Sequence, residues 1–384
     1  MHAPLAEPQA TTRIHEGGGF RTLCCDQEVV RTDGSCPACG QALAWPRAER
    51  LWDFETGDYV CSSAAVASGR VFVGSLDNRL YALDLRTGQK AWQFETAGAL
   101  SSCPFVREGT LWVGSTDGNL YCLSCLEGTE RWRFTCRGAV ASSPRVSRGR
   151  VFFGSNDGGV YGLDADSGRL LWRFETGDYV SSSPATAGGL VVVGSRSGFL
   201  YALEEETGVE RWRYGTSDWI TSSPAVSSGV VVVGGHDGKI HAVELATGRA
   251  LWVHPTGGAV GSSPAIAGGR VFVGSWDRHF YALDLGTGQV LWSYRTGAEV
   301  TSSPAVVAGR VLFGGYDSKV HCLDAATGTM LWEYRARGDV HSSPAVVDGL
   351  VVVGSYDHRV HCLDTGTPTL DGWPQFHVRT EEQA

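Results

Sequence analysis

The stretch FETGDYVCSSAAVASGRVFVGSLDNRLYALDLRTGQKAW, residues 54–92, decides the fold. It ends on a tryptophan that recurs without a break every 40 residues: Trp52, Trp92, Trp132, Trp172, Trp212, Trp252, Trp292 and Trp332. The intervening text changes little, and later copies replace SSAAV by SSPAV or a close variant. A fixed period of this length means one supersecondary unit copied in tandem. Each unit holds four short runs, here named A (VxSSPAV), B (RVFVGS), C (RLYALD) and D (LWxFET). Val, Phe, Tyr and Trp are enriched in them, and Gly, Ser and Asp punctuate the turns. The connections are too short for crossover helices, so each unit reads as an antiparallel four-stranded sheet. Four strands per repeat of about forty residues mark the blades of a β-propeller.

Runs A, B and C each occur eight times. The first run of the array, 51–56, is a D without a preceding A, B or C, and the last unit, 341–364, lacks a regular D. Eight blades result if the N-terminal D completes the last blade, a closure that removes exposed edges. The rival is Trp373-Pro374-Gln375-Phe376, one residue out of register and carrying a proline without a ladder donor. The expected organisation is a polar, disordered segment at 1–19, a cysteine-bearing module at 20–43 and a linker at 44–50. The propeller follows at 51–376, then a tail at 377–384.

Between C and D runs ALDLRTGQKAW, with copies such as GLDADSGRLLW, AVELATGRALW and CLDAATGTMLW. The pattern is a small residue, an acid, Thr/Ser-Gly, then Trp. It resembles the tryptophan-docking motif of the pyrroloquinoline-quinone-like (PQQ-like) propeller repeat. That family includes quinoprotein dehydrogenases, the outer-membrane assembly lipoprotein BamB and many non-enzymatic propellers. The residues support the resemblance: Ala82 leaves room for a flat indole, and Gly88 supplies turn geometry. A tryptophan ring buries roughly 200 Å², so eight of them should clamp adjacent blades. Blade 2 departs, with Ser124 for the acid and Glu127 for Thr/Ser, and its clamp is expected to be weaker. Cys122, Cys322 and Cys362 fill the small-residue slot and read as packing thiols.

The chain has 384 residues, 51 of them glycine, and a net charge of −9. No broad basic field is available, which argues against nucleic acid as a general partner. The N-terminus shows no apolar signal region, and no run approaches the ~20 apolar residues of a membrane span. Eleven cysteines without a pairing pattern suit a reducing compartment. A cytoplasmic location and, by default, a monomer are the expectations.

The PQQ-like resemblance invites an oxidoreductase reading. In that family, quinoprotein dehydrogenases are longer and place Ca²⁺, a catalytic Asp and a vicinal disulfide over the channel. This chain has no long insertion between blades, and its only adjacent pair, Cys24-Cys25, precedes the propeller. The repeated Asp77, Asp117, Asp157, Asp237, Asp277, Asp317 and Asp357 sit in B–C turns, where Asp commonly bonds its own backbone. Bound PQQ is therefore disfavoured. The cysteine-bearing head is the sharper metal signal. Its CPACG resembles the knuckle of zinc ribbons, and Cys24, Cys25, Cys36 and Cys39 are the candidate ligands of a structural Zn²⁺. The first knuckle departs from C-x-x-C, so Cys24 substitutes there or His15 supplies a nitrogen. A degenerate, metal-free ribbon and a redox dithiol are the alternatives.

Strand direction alternates, so D–A and B–C loops share one rim, and A–B and C–D loops the other. The second rim is uniform. The first carries Tyr59, Tyr179, Arg196, Trp219, His236, Trp276, Tyr316 and Tyr356, and His341 replaces a small residue just inside run A. Exposed Tyr, Trp and Arg are the residue types of interface hot spots. His241, His321 and His361 replace Tyr in run C and read as core variants. The expectation is a non-enzymatic scaffold or adaptor that binds a protein or peptide on this rim. The alternatives are a PQQ- or metal-dependent oxidoreductase and a small-ligand sensor at the channel mouth.

Overall fold

A computed structural model describes residues 48–365 and the backbone of a hairpin pairing Arg21–Cys24 with Gln27–Val30. Blade 1 comprises Ala65–Ala67 (A), Arg70–Gly74 (B), Arg79–Asp84 (C) and Lys90–Glu95 (D), hydrogen-bonded in that order. Six further sheets repeat the plan. The eighth takes its inner three strands from Ala345–Val347, Leu350–Ser355 and Arg359–Asp364. Its outer strand is Glu49–Glu55, from the other end of the chain. The N-terminal strand therefore closes the ring, with Trp52 opposite Cys362 and Glu55 opposite Arg359. It begins at Glu49, inside the stretch read as a linker. Arg359 adds ion pairs to Asp53 and Glu55 across the seam. The rival segment 373–376 lies outside the described residues. Neighbouring A strands approach one another at seven of the eight blade junctions, including last to first, so they encircle the axis.

The B and C strands of each blade are buried on both faces, as in blade 1. Val71 and Val73 of blade 1 pack with Val352 and Val360 of blade 8. Phe72, between them in sequence, packs with Leu100, Leu111 and Val113 on the blade 2 side. A strand covered on both faces needs a continuous apolar run rather than alternation, which is why run B reads RVFVG.

The A strands are shorter than the sequence suggests. Each has three residues and starts one residue after the proline position, also in blade 1, where Ala64 stands in place of proline. The Ser-Ser pair before it does other work. The first serine braces its own blade: Gly154 N donates to Ser142 Oγ at 3.0 Å. The second links blades: Ser183 N donates to Ser223 Oγ, and Ser223 N to Ser263 Oγ, both at 2.9 Å. The series runs through all eight blades, with Cys103 Sγ standing in for one hydroxyl. Each such bond contributes about 1 kcal/mol net.

The period-40 tryptophans sit between blades. Trp52 Nε1 donates to Leu85 O at 2.9 Å. Its ring lies on Gly88, whose φ is +71° and where a Cβ would come within 2.6 Å of Trp52 Cδ2. Trp92, Trp172, Trp212, Trp252 and Trp292 make the same bond to the next blade's C–D turn, and Trp332 is buried among blades 7 and 8. The weaker contact expected on the irregular blade 2 turn keeps its bond, Trp92 Nε1 to Cys125 O at 3.1 Å. The acceptor is a backbone carbonyl, which any residue supplies. The bond is missing instead at Trp132, whose Nε1 has no partner although the turn it faces keeps the pattern. Cys122, Cys322 and Cys362 are buried, and burial pushes each thiol up to about 12.

Candidate binding rim

The D–A and B–C loops do meet on one rim. Leu76 N donates to Tyr59 O at 2.9 Å, and His236 N to Trp219 O at 2.8 Å. On the opposite rim Leu85 N donates to Gly69 O at 2.9 Å, joining a C–D turn to an A–B turn.

The B–C aspartates are committed to this framework. Asp77 Oδ1 accepts Arg79 N at 3.0 Å, while Oδ2 accepts Gly57 N at 2.6 Å and the Tyr81 hydroxyl at 2.7 Å. In three blades a buried histidine takes the tyrosine's place. Nε2 of His241 lies 3.2 Å from Asp237 Oδ1, that of His321 3.1 Å from Asp317 Oδ2, and that of His361 3.0 Å from Asp357 Oδ2. Burial is the largest single influence and works against charge on these carboxyls, but the histidine bond, the histidine's charge and hydrogen bonds from the neighbouring loop together outweigh it and hold each below the usual range. Burial also pushes His241 down, against the pull of Asp237.

Above this framework the rim residues form two aromatic groups. In blades 7, 8 and 1, Tyr59 stacks on Tyr356 with centroids 4.8 Å apart. Tyr356 lies 5.9 Å from His341 and nearly parallel to it, and Tyr316 lies 6.1 Å from His341. Burial raises the Cys61 thiol beside them to about 11. In blades 4, 5 and 6, the Arg196 guanidinium sits 5.4 Å from the Tyr179 ring and 4.9 Å from the Trp219 ring. His236 lies 5.9 Å from Trp219 and 5.4 Å from Trp276, and its Nε2 is 2.8 Å from Thr221 Oγ1. Tyr59, Tyr179, Trp219 and Trp276 are 42–46% exposed. Arg196, His236, Tyr316, His341 and Tyr356 are half-buried. On blades 2 and 3 the corresponding places hold Ala99, Ala139 and Ala141, so the aromatic wall is low on that side.

The sequence reading missed a set of polar atoms below the wall. Asn156 Oδ1, Ser181 Oγ, Arg196 Nε, Thr301 Oγ1 and His341 Nδ1 are buried and have no hydrogen-bond partner. Ser181, Thr301 and His341 occupy one repeat position, immediately before the Ser-Ser pair. A signal for it exists in the sequence. That position reads Cys61, Ser101, Ala141, Ser181, Thr221, Gly261, Thr301 and His341, varied beside a serine that never changes.

Of the head, Cys24 ends the first hairpin strand, paired with Gln27. Cys25, Cys36, Cys39 and His15 lie outside the described residues. Among the described residues no group of three or more His, Cys, Asp or Glu gathers as a metal site, and no helix is long and apolar enough to cross a membrane.

Comparison with known proteins agrees with this architecture. No curated protein matches the chain. Among solved structures, a computationally designed protein, Ika8, superposes with a TM-score of 0.75 at 23% identity, covering 82% of this chain and 99% of its own. BamB from Moraxella catarrhalis gives 0.72 at 18%, covering 83% and 99%. A europium-containing methanol dehydrogenase gives 0.70 at 14%, covering 83% and 93%. At these identities the likenesses speak for the fold alone. The family profile described as outer membrane protein assembly factor BamB matches residues 39–102, 77–218, 214–307 and 295–373, nearly the whole array. On that match the chain belongs to the BamB family of PQQ-like repeat propellers.

Proposed function

We propose that this protein is a scaffold or adaptor that binds a protein or peptide segment on the rim of its D–A and B–C loops. The observation that carries the reading is the aromatic wall. Two tryptophans and two tyrosines stand 42–46% exposed on one rim, held by neighbours rather than left free. Rigid aromatic side chains lose little entropy on binding and cluster at interface hot spots. The framework beneath spends its aspartates on turns, leaving the wall free to vary from blade to blade. The printed role of the BamB relatives, assembly of outer-membrane proteins, is of the same protein-binding kind.

For the head, the proposal is a structural zinc held by Cys24, Cys25, Cys36 and Cys39. Support comes from the CPACG knuckle and from the hairpin that carries Cys24 to its turn.

The rim reading is tested by photo-crosslinking. A photoreactive amino acid is placed at the Trp276 position or, on the opposite rim, at the exposed Leu126 position, and products are identified by mass spectrometry. A discrete partner should appear from the first site alone. Equal yields from both sites would sink the reading.

A further inference from the structure

Arg196 is the cation whose setting on the rim is unusual. Its guanidinium lies between the Tyr179 and Trp219 rings, 5.4 Å and 4.9 Å from their centroids. Among the described residues no carboxylate lies within ion-pair distance, and buried Nε makes no hydrogen bond. The adjoining carboxylates are turned to the backbone. Asp178 Oδ1 accepts Tyr179 N and Asp218 Oδ1 accepts Trp219 N, each at 2.7 Å. Three B–C loop cations are paired: Lys239 lies 3.7 Å from Asp237, Lys319 lies 2.8 Å from Glu333, and Arg359 lies 2.9 Å from Asp53. Arg196 is set apart from them by its place between two rings. In the same blade Ser181 Oγ is also buried without a partner. The repeat places it beside Arg196, as Thr221 Oγ1 stands 2.8 Å from His236 Nε2 one blade on.

An arginine fixed between two rings has lost its side-chain entropy before any ligand arrives, and its planar fork suits a carboxylate. An unbonded buried donor is costly to leave so. A hydroxyl beside it supplies another donor. We propose that Arg196, assisted by Ser181, is a carboxylate-binding site. It takes an Asp or Glu side chain, or a terminal carboxylate, of a peptide whose apolar neighbours lie on Trp219 and Trp276. This rests on the peptide-binding reading of the rim and adds the charge of the partner to it.

The test is an array of random dodecapeptides, with free and amidated C-termini. It is probed with the full chain as wild type, Arg196→Gln, Ser181→Ala and Trp219→Ala/Trp276→Ala. Wild-type hits should be enriched in carboxylates beside apolar residues. Amidating the key carboxylate of the strongest hit should weaken wild-type binding about 30-fold and leave Arg196→Gln binding within about 2-fold; Ser181→Ala should fall between. All variants should melt like wild type, which removes misfolding as an explanation. Hits without acidic enrichment, or an Arg196→Gln profile equal to wild type, overturn the carboxylate site even if the tryptophan variant loses binding. If the wild type captures no peptide, or the tryptophan variant keeps the full profile, the rim reading falls as well.

Discussion

Ser343 gives its backbone N–H to Ser63 Oγ at 2.8 Å, joining residues 280 positions apart in the chain. The equivalent bond recurs at every other blade junction, with Cys103 Sγ as the acceptor at one of them, so the ring treats the seam as one more junction. What differs at the seam is the outer strand, which comes from the opposite end of the chain. Deleting residues 1–43 should therefore leave the melting temperature within a few degrees. Deleting residues 1–56 removes Trp52 and the strand paired with Arg359–Asp364. Loss of a buried tryptophan alone costs about 3–5 kcal/mol, so the midpoint should fall by roughly 10 °C or more. Calorimetry of the two truncations decides it, and equal midpoints would move the closing role to the C-terminal tail.

The missing bond at Trp132 gives a prediction about its siblings. Phe in place of Trp212 removes the donor to Leu245 O, 2.8 Å away. Phe in place of Trp132 removes an N–H that has no acceptor. Both changes shrink the ring alike, so Trp212→Phe should cost about 1 kcal/mol more than Trp132→Phe in urea unfolding. Equal costs would show that the indole bond adds nothing beyond packing.

Much of this fold was legible because a repeat multiplies weak signals. One VxSSPAV run says little, whereas eight in register fix strand number, blade number and the sharing of rims. The serine ring was not legible, although its residues were in plain view. A side-chain bond to the next blade links positions 40 apart, and nothing in one copy distinguishes it from a strand residue. The rim residues were legible as departures from the template. Their grouping was not, because it depends on which D–A loop leans on which B–C turn, as where Trp219 meets Arg196 of the preceding blade.

Burial of His241 makes stability depend on pH. The pKa of His241 is lowered in the folded state, so the unfolded chain takes up its proton first as pH falls. Stability from this group is full above about pH 6.5 and declines below it. His236, His254 and His341 are also pushed down by burial and act in the same direction. The depressed Asp237, Asp317 and Asp357 act lower, losing their contribution as pH falls below about 4. His241→Tyr restores the residue that meets aspartate in blade 1. It should reduce the fall in melting temperature between pH 7 and pH 5. An unchanged slope would place the titration elsewhere.

The zinc proposal predicts about one zinc per chain by elemental analysis of protein purified without chelator. Cys36→Ser/Cys39→Ser should abolish it, because tetrahedral zinc needs all four ligands. The propeller should melt unchanged, since its cores lie between blades. Zinc-free wild type would remove the metal, and an early-melting variant would show that the head supports the ring.

The rim makes the opposite demand on stability and binding. Trp219 and Trp276 are each 44% exposed, whereas Trp212 is 8% exposed and packs between blades. Trp219→Ala/Trp276→Ala should change unfolding free energy by only about 0.5 kcal/mol per site. In affinity for the crosslinked partner the pair should cost more than about 2 kcal/mol if they are hot spots. Trp212→Ala should lose about 3–5 kcal/mol of stability and, where still folded, keep its partner. The two variants thus separate a residue that builds the ring from one the ring displays. A rim double variant that melts early yet binds fully would make those tryptophans part of the framework, and the binding face would have to lie elsewhere.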